Sequence, residues 1–245
     1  MTEIWAHRGA SGYAPENTMP AFELAVDQGA EGVEFDVQLS RDGAMVIIHD
    51  EILGRTADGT GRVADHTLAE LQALDACNGM VEYAGVSIPT LDEVLALLAP
   101  TGLRINVELK NSEQPYPGLE RKVIAAVADH GLSRRVVLSS FSDASVALLH
   151  ELAPELELAT LYTRPELLPW RNALSLGARG IHPPAPFVPH RWWISRAHAL
   201  GLAIRPWVVN SPQLLTRMFR WRADAVFTDT PDVALELRDQ PAAAR

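Results

Sequence analysis

Three acidic residues stand in strand-like sequence that should otherwise be apolar. In Gly32-Val-Glu-Phe-Asp-Val37, Glu34 and Asp36 share one face and Val33, Phe35 and Val37 the other, because side chains alternate along a strand. In Ile105-Asn-Val-Glu-Leu-Lys110 the same alternation groups Asn106, Glu108 and Lys110. His7 follows a first apolar run in Trp5-Ala-His-Arg-Gly9, and His49 ends another. A tight turn at Asp42-Gly43 would pair 32–37 with 45–49 antiparallel and set His49 beside Glu34, on the side of Asp36. Buried carboxylates without partners are severely unfavourable, so three in one place require cations. Arg8 and Lys110 supply two, and a divalent ion would supply the rest. An all-oxygen donor set selects a hard ion, Mg²⁺, Ca²⁺ or Mn²⁺, over zinc.

Other titratable residues look plainer. His66, His130, His150, His190 and His198 fall on helices or loops with no charged constellation beside them in sequence, and read as surface or packing residues. His182 ends a predicted strand and is an outside candidate. Asp224 and Asp229 flank the last predicted strand and read as structural hydrogen-bonders.

The elements that must position these residues alternate. Strand-like runs are predicted at 3–6, 32–37, 45–49, 103–109, 135–140, 156–162, 179–182, 202–208 and 224–228. Helical spacing recurs at 17–28, 119–130 and 144–152. Thr90-Leu-Asp-Glu93 is a capping box opening a helix over 91–99, and Ser211-Pro212 and Thr230-Pro231 each place a cap before a proline at the first helical position. Strand–helix alternation over 245 residues implies an α/β fold, a parallel (β/α)₈ barrel. No Gly-x-Gly-x-x-Gly or P-loop run favours an open doubly wound sheet. Nine strand segments exceed eight slots, so one is an extra ribbon or not a strand.

Composition prunes the partners. The 31 acidic and 21 basic residues give a net charge of −10 with no extended basic cluster, which disfavours nucleic acid and anionic membrane surfaces. The longest apolar runs, such as 94–100, are far short of a membrane span, and Met1-Thr2-Glu3-Ile4 is not a signal peptide. A lone cysteine, Cys77, excludes an intrachain disulfide framework and a cysteine-rich zinc site. The expectation is a cytoplasmic protein without integral membrane association.

Short motifs then give a family. His7-Arg-Gly9, Pro15-Glu-Asn-Thr18, Glu34-Phe-Asp-Val37, His49-Asp50, Leu53-Gly-Arg-Thr56 and Gly59-Thr-Gly61 resemble the N-terminal half of glycerophosphodiester phosphodiesterases. Ile88-Pro-Thr-Leu91, Glu108-Leu-Lys110, Ser140-Phe141, Trp207-Val-Val-Asn210 and Thr228-Asp-Thr-Pro231 continue the resemblance in order. It implies a single TIM-barrel domain over 1–245, with residues 50–89 a small family-specific insertion after the strand carrying His49, a lid rather than a separate domain. By motif, Glu34, Asp36 and Glu108 are the implied ligands of one divalent cation and His7 and His49 the implied acid–base pair. Arg8 and Lys110 are implied phosphate contacts, with Trp207 a wall at the glycerol side and Phe141 lining the site or packing beneath it. Glu16 and Asn17 would support the first loop.

The implied reaction is hydrolysis of a small-molecule glycerophosphodiester to glycerol 3-phosphate and an alcohol. The glycerol 2-hydroxyl would attack first, giving a cyclic phosphate that water opens. Charge gathers on the phosphoryl oxygens during displacement, which a divalent ion, Arg8 and Lys110 would offset. Two imidazoles can take and return protons at neutral pH. A lysophospholipase D of the same mechanism is the alternative; Trp192-Trp193 could offer an acyl chain an apolar approach, although the inner face of a helix packed on the barrel is the preferred reading for both. A protein that merely binds a phosphodiester is the contrasting class, disfavoured because both histidines are present.

Overall fold

The computed structural model describes residues 1–164 and 166–240. Eight parallel strands form the barrel: β1 (Glu3–His7), β2 (Gly32–Leu39), β4 (Arg104–Leu109), β5 (Val136–Ser140), β6 (Glu157–Leu161), β7 (Gly180–His182), β8 (Ala203–Ile204) and β9 (Ala225–Thr228). Their order around the barrel is β8-β7-β6-β5-β4-β2-β1-β9. The β8 and β9 segments meet through three backbone bonds, Asp224 N–H to Ile204 O and Phe227 N–H to Pro206 O, each 3.0 Å, and Val209 N–H to Phe227 O at 2.8 Å, which bring the two edges of the sheet together. The ninth strand, β3 (Met45–Ile47), is the extra ribbon, pairing antiparallel with β2 alone.

The helices follow their strands: α1 (Met19–Asp27), α2 (Leu68–Gln72), α3 (Leu91–Leu98), α4 (Leu119–Asp129), α5 (Asp143–Leu152), α6 (Pro169–Ser175), α7 (Arg191–Ala199), α8 (Pro212–Trp221) and α9 (Pro231–Asp239). The Thr90–Glu93 box closes in both directions, and Ser211 accepts from Leu214 N–H. Thr230 does not cap: its side chain makes no bond to the helix start, and Pro231 alone marks it. β8 stops at Ile204, short of the predicted 208, because Pro206 has no N–H to give a ladder. No helix among the described residues is long and apolar enough to cross a membrane.

Burial follows strand alternation. Ile4, Ala6, Val33, Phe35, Val37, Ile105 and Val107 face the helices in the main core. The opposite faces fill the barrel: Trp5, Val137, Ala159, Ala225 and Phe227 form a separate buried plug. Trp5 and Phe227 stand edge to face at 5.6 Å, and Gly32 makes room, since a Cβ there would lie 2.6 Å from the Trp5 ring. This plug is the floor under the polar C-terminal ends of β1, β2 and β4.

Residues 50–89 carry α2, short 3₁₀ turns at Val63–Asp65 and Val81–Tyr83, and contribute to a small second cluster of Val46, Ile48, Leu53, Val63, Leu71 and Ile88. The anticipated unit of 1–245 takes in residues 165 and 241–245, which lie outside the described residues.

Candidate active site

Register places the first residues. His7 pairs with Glu34 across β1–β2, Glu34 with Asn106 and Asp36 with Glu108 across β2–β4. These polar side chains therefore stand on the inner face at one end of the barrel. Glu34, Asp36 and Glu108 each offer a carboxylate oxygen, and these atoms lie within 4.8 Å of one another. The three residues are 5, 1 and 7% exposed.

Such crowding shifts their protonation. Burial first, then Asp36 and Glu108, push the Glu34 carboxyl well above the ordinary range. Burial likewise raises Glu108, against the pull of Lys110. Asp36 goes the other way: burial would raise it, but Arg8, His49 and Lys110 outweigh that and hold it ionised. Asp36 Oδ1 and Glu108 Oε1 are buried with no hydrogen-bond partner. Lys110 is the ion-pair partner of both oxygens, and one ammonium leaves a three-carboxylate cluster short of positive charge, so the donor set fits one divalent ion.

The cations expected from the sequence are in place. Lys110 Nζ lies 3.2 Å from Glu108 Oε1 and 3.9 Å from Asp36 Oδ1. Arg8 Nε lies 3.3 Å from Asp36 Oδ2, yet out of hydrogen-bond geometry and without another partner. The Arg8 backbone is left-handed, with φ 56°, at a cost of about 1–2 kcal/mol for a side chain with a Cβ. That turn directs its N–H to Glu34 Oε2 at 3.0 Å. Asn17, also left-handed at φ 58°, precedes α1 instead of opening it, and its amide donates to Asp36 Oδ2 at 2.9 Å. Glu16 accepts from Arg8 Nη1 at 2.7 Å.

Each histidine is anchored by an aspartate. His7 Nδ1 lies 2.8 Å from Asp229 Oδ1, and His49 Nδ1 lies 2.6 Å from Asp50 Oδ1. Burial would raise the Asp229 carboxyl, but hydrogen bonds from His7, Asn210 and Ser11 lower it. Burial also opposes Asp50, whose bonds from Arg55 and His49 bring it to about 2. Both carboxylates are thus acceptors, Nδ1 of each ring donates, and Nε2 is left for chemistry. His7 Nε2 lies 4.0 Å from Glu34 Oε2. Asp229 is a hydrogen-bonder, as its place beside the last strand suggested, but its partner is this candidate catalytic ring. Its position in Thr228-Asp-Thr-Pro231 was the available signal.

His49 arrives by a route the hairpin pattern missed. The observed register, Val37 with Ile47 and Leu39 with Met45, would set His49 opposite Phe35, on the face away from Glu34 and Asp36. The turn spans residues 40–44, closed by Ser40 N–H to Ala44 O at 2.9 Å, so it is longer than a two-residue turn at Asp42-Gly43. β3 ends at Ile47, and Gln38 Nε2 lies 2.9, 3.1 and 3.0 Å from the carbonyls of Ile48, His49 and Asp50. This buried amide holds the bend that brings His49 within electrostatic range of Asp36 and Glu108.

Around these groups lies a cavity of about 720 Å³, within the range of small-molecule sites. Phe141 and Trp207 line it, ring centroids 5.8 Å apart and edge to face. Trp207 is fixed by donating from Nε1 to His182 O at 2.7 Å, and Lys110 Nζ lies 5.9 Å from the Phe141 ring centroid. His182 is fully buried; burial first, then Arg205, hold its pKa well below the usual value, so it stays neutral.

Elsewhere two of the plainer histidines have acidic partners. His130 meets Asp92 at 3.2 Å and His198 meets Asp224 at 2.8 Å. Ile194 and Ala197 take the inner face of α7, which leaves Trp192 58% exposed against the edge of Trp170, while Trp193 packs on the core. Packing on the barrel thus accounts for Trp193 and not for Trp192.

Known proteins share this architecture. The profile of the glycerophosphoryl diester phosphodiesterase family matches residues 7–233. A Bacillus altitudinis protein named glycerophosphodiester phosphodiesterase is 42% identical, over 98% of this chain and 99% of its own. One of the same name from Caldanaerobacter subterraneus is 38% identical over 96% and 97%. The structure of an Oleispira antarctica phosphodiesterase in complex with the product sn-glycerol-3-phosphate is 33% identical, with a TM-score of 0.86 and 98% of both chains covered.

Proposed function

This chain belongs to the glycerophosphoryl diester phosphodiesterase family, and from that premise we propose that it hydrolyses glycerophosphodiesters to glycerol 3-phosphate and an alcohol. One observation carries the reading: three buried carboxylates with ligand atoms within 4.8 Å are flanked by two histidines whose Nδ1 atoms are both tied to aspartates. A divalent ion held by Glu34, Asp36 and Glu108 would supply positive charge against the phosphoryl oxygens.

The chain's own residues do the rest. Arg8 Nε, buried without a hydrogen-bond partner, and Lys110 hold the phosphoryl group. Phe141 and Trp207 wall the glycerol side. One imidazole takes the proton of the glycerol 2-hydroxyl through Nε2 as that oxygen attacks phosphorus. The other protonates the departing alkoxide, and the roles reverse when water opens the cyclic phosphate. The described residues act as one domain, with 50–89 an insertion whose Glu51 lines the cavity, and the lone Cys77 agrees with cytoplasmic residence.

A second reading, lysophospholipase D, draws on the exposure of Trp192 and Leu167 after β7 and β6, at the end of the barrel that holds the site. The deciding assay follows glycerol 3-phosphate release from glycerophosphocholine and lysophosphatidic acid release from lysophosphatidylcholine, with Mg²⁺, Ca²⁺ or Mn²⁺ added after chelation. Metal-dependent turnover of the first substrate is expected. Faster turnover of the second would transfer the assignment, and full activity after chelation would sink the metal site. Metal at 100 times its Kd should also stabilise the fold by about 2.7 kcal/mol in a thermal melt.

A further inference from the structure

The run Leu53-Gly-Arg-Thr56 has no part in this chemistry, yet Arg55 is joined to it by four hydrogen bonds. Arg55 Nε and Nη2 grip Asp50 at 2.5 and 3.0 Å. Nη1 and Nη2 grip Glu16 at 2.8 and 2.9 Å. Asp50 receives His49, and Glu16 receives Arg8. An alternating series therefore runs His49–Asp50–Arg55–Glu16–Arg8–Asp36, from a proton-transfer candidate to a metal-ligand candidate.

Stability is only part of the reason for this arrangement. The Arg55 side chain is 46% exposed, where isolated ion pairs contribute little, although bidentate forks within a network contribute more. Geometry explains it better. Only a planar guanidinium can engage two carboxylates in two forks at once; a lysine offers one point charge. The Asp50 backbone is already held by Gln38, so what Arg55 adds is the orientation of the Asp50 carboxylate. That carboxylate in turn decides which way the His49 ring faces and which nitrogen carries its proton.

We infer that Arg55 is a positioning residue: it locks the Asp50 carboxylate, and through it the plane and tautomer of His49. The insertion thereby supplies part of the active-site framework. The inference rests on the reading that His49 transfers a proton. Arg55→Ala, Arg55→Lys, Asp50→Asn and the double variant Arg55→Ala/Asp50→Asn test it in metal-loaded enzyme, alongside ¹⁵N NMR of the His49 ring, which needs no activity.

Arg55→Ala should lower kcat for glycerophosphocholine about 10- to 100-fold, the usual cost of a lost orienting partner, with KM within threefold. Arg55→Lys should recover only part of that loss. The His49 ring should pass from one tautomer, with Nδ1 protonated, to a mixture. Because both residues act through one ring, the double variant should be little worse than the poorer single one. A kcat within threefold of wild type, a loss confined to KM, an unchanged His49 tautomer, or a double variant whose loss is the product of the two would each overturn the inference. If the wild type turns over no glycerophosphodiester, the functional reading fails while the ring tautomer still decides the role of Arg55.

Discussion

Replacing Asp229 with asparagine keeps its shape and removes the charge that fixes His7. The carboxylate accepts three hydrogen bonds: His7 Nδ1 at 2.8 Å and Ser11 Oγ at 3.1 Å on Oδ1, and Asn210 Nδ2 at 2.5 Å on Oδ2. Asn210 can donate only to oxygen, so the introduced amide must turn its carbonyl that way and its NH₂ toward His7. His7 Nδ1 then has to accept, and the ring proton moves to Nε2, the nitrogen that faces Glu34. Holding the productive tautomer instead would set two donors against each other, an unsatisfied-donor cost of about 1–3 kcal/mol. That lowers the competent population by about 5- to 150-fold, since about 1.4 kcal/mol is a factor of ten. The lost negative charge weakens the protonated imidazole as well. The whole proton-transfer contribution of about 10²–10⁴ bounds the effect. Steady-state turnover of a glycerophosphodiester should therefore fall by at least about 5- to 150-fold in kcat, with bound metal and melting temperature close to wild type. A folded, metal-replete Asp229→Asn protein within fivefold of wild-type kcat would refute the argument that this dyad sets the tautomer.

Two further outcomes follow from the same geometry. His7→Ala and His49→Ala should each lower kcat by about 10²–10⁴ with metal content unchanged, and a nitrophenol leaving group should partly restore whichever variant lost the acid; loss of metal from a folded variant would make that histidine a ligand. His182, buried and held below its usual pKa of 6.5, is neutral in the fold and protonates more readily when unfolded. Its stabilising contribution is complete above about pH 6.5 and declines as pH falls below it, by at most about 1.4 kcal/mol per unit. Melts of metal-free wild type and His182→Asn between pH 7.5 and 5 should show a flatter dependence in the variant, and equal slopes would refute this.

Much was legible before the fold was known, because a carboxylate inside an apolar strand is costly enough to demand a reason. Alternation in 32–37 and 105–110 alone grouped Glu34 with Asp36 and Asn106 with Glu108 and Lys110, and the regular strand–helix rhythm implied the parallel barrel that is found. Local chemistry likewise read the Thr90–Glu93 capping box, since capping involves neighbours a few residues apart. What sequence could not decide were contacts between distant segments and irregular backbone. Asp229 reaches His7 across 222 residues, because β1 and β9 are neighbours in a closed ring. His49 depended on a turn longer than its Asp-Gly signal suggested, and a single-residue slip reverses which face a side chain takes. Gln38 looked like an ordinary polar residue, Asn17 was expected to support the first loop and Arg55 was a motif residue without an assigned contact; only the folded chain set them on His49, Asp36 and Asp50. Residue type and spacing fixed which charges had to share a face; ring closure and the bends at strand ends decided which atoms those charges meet.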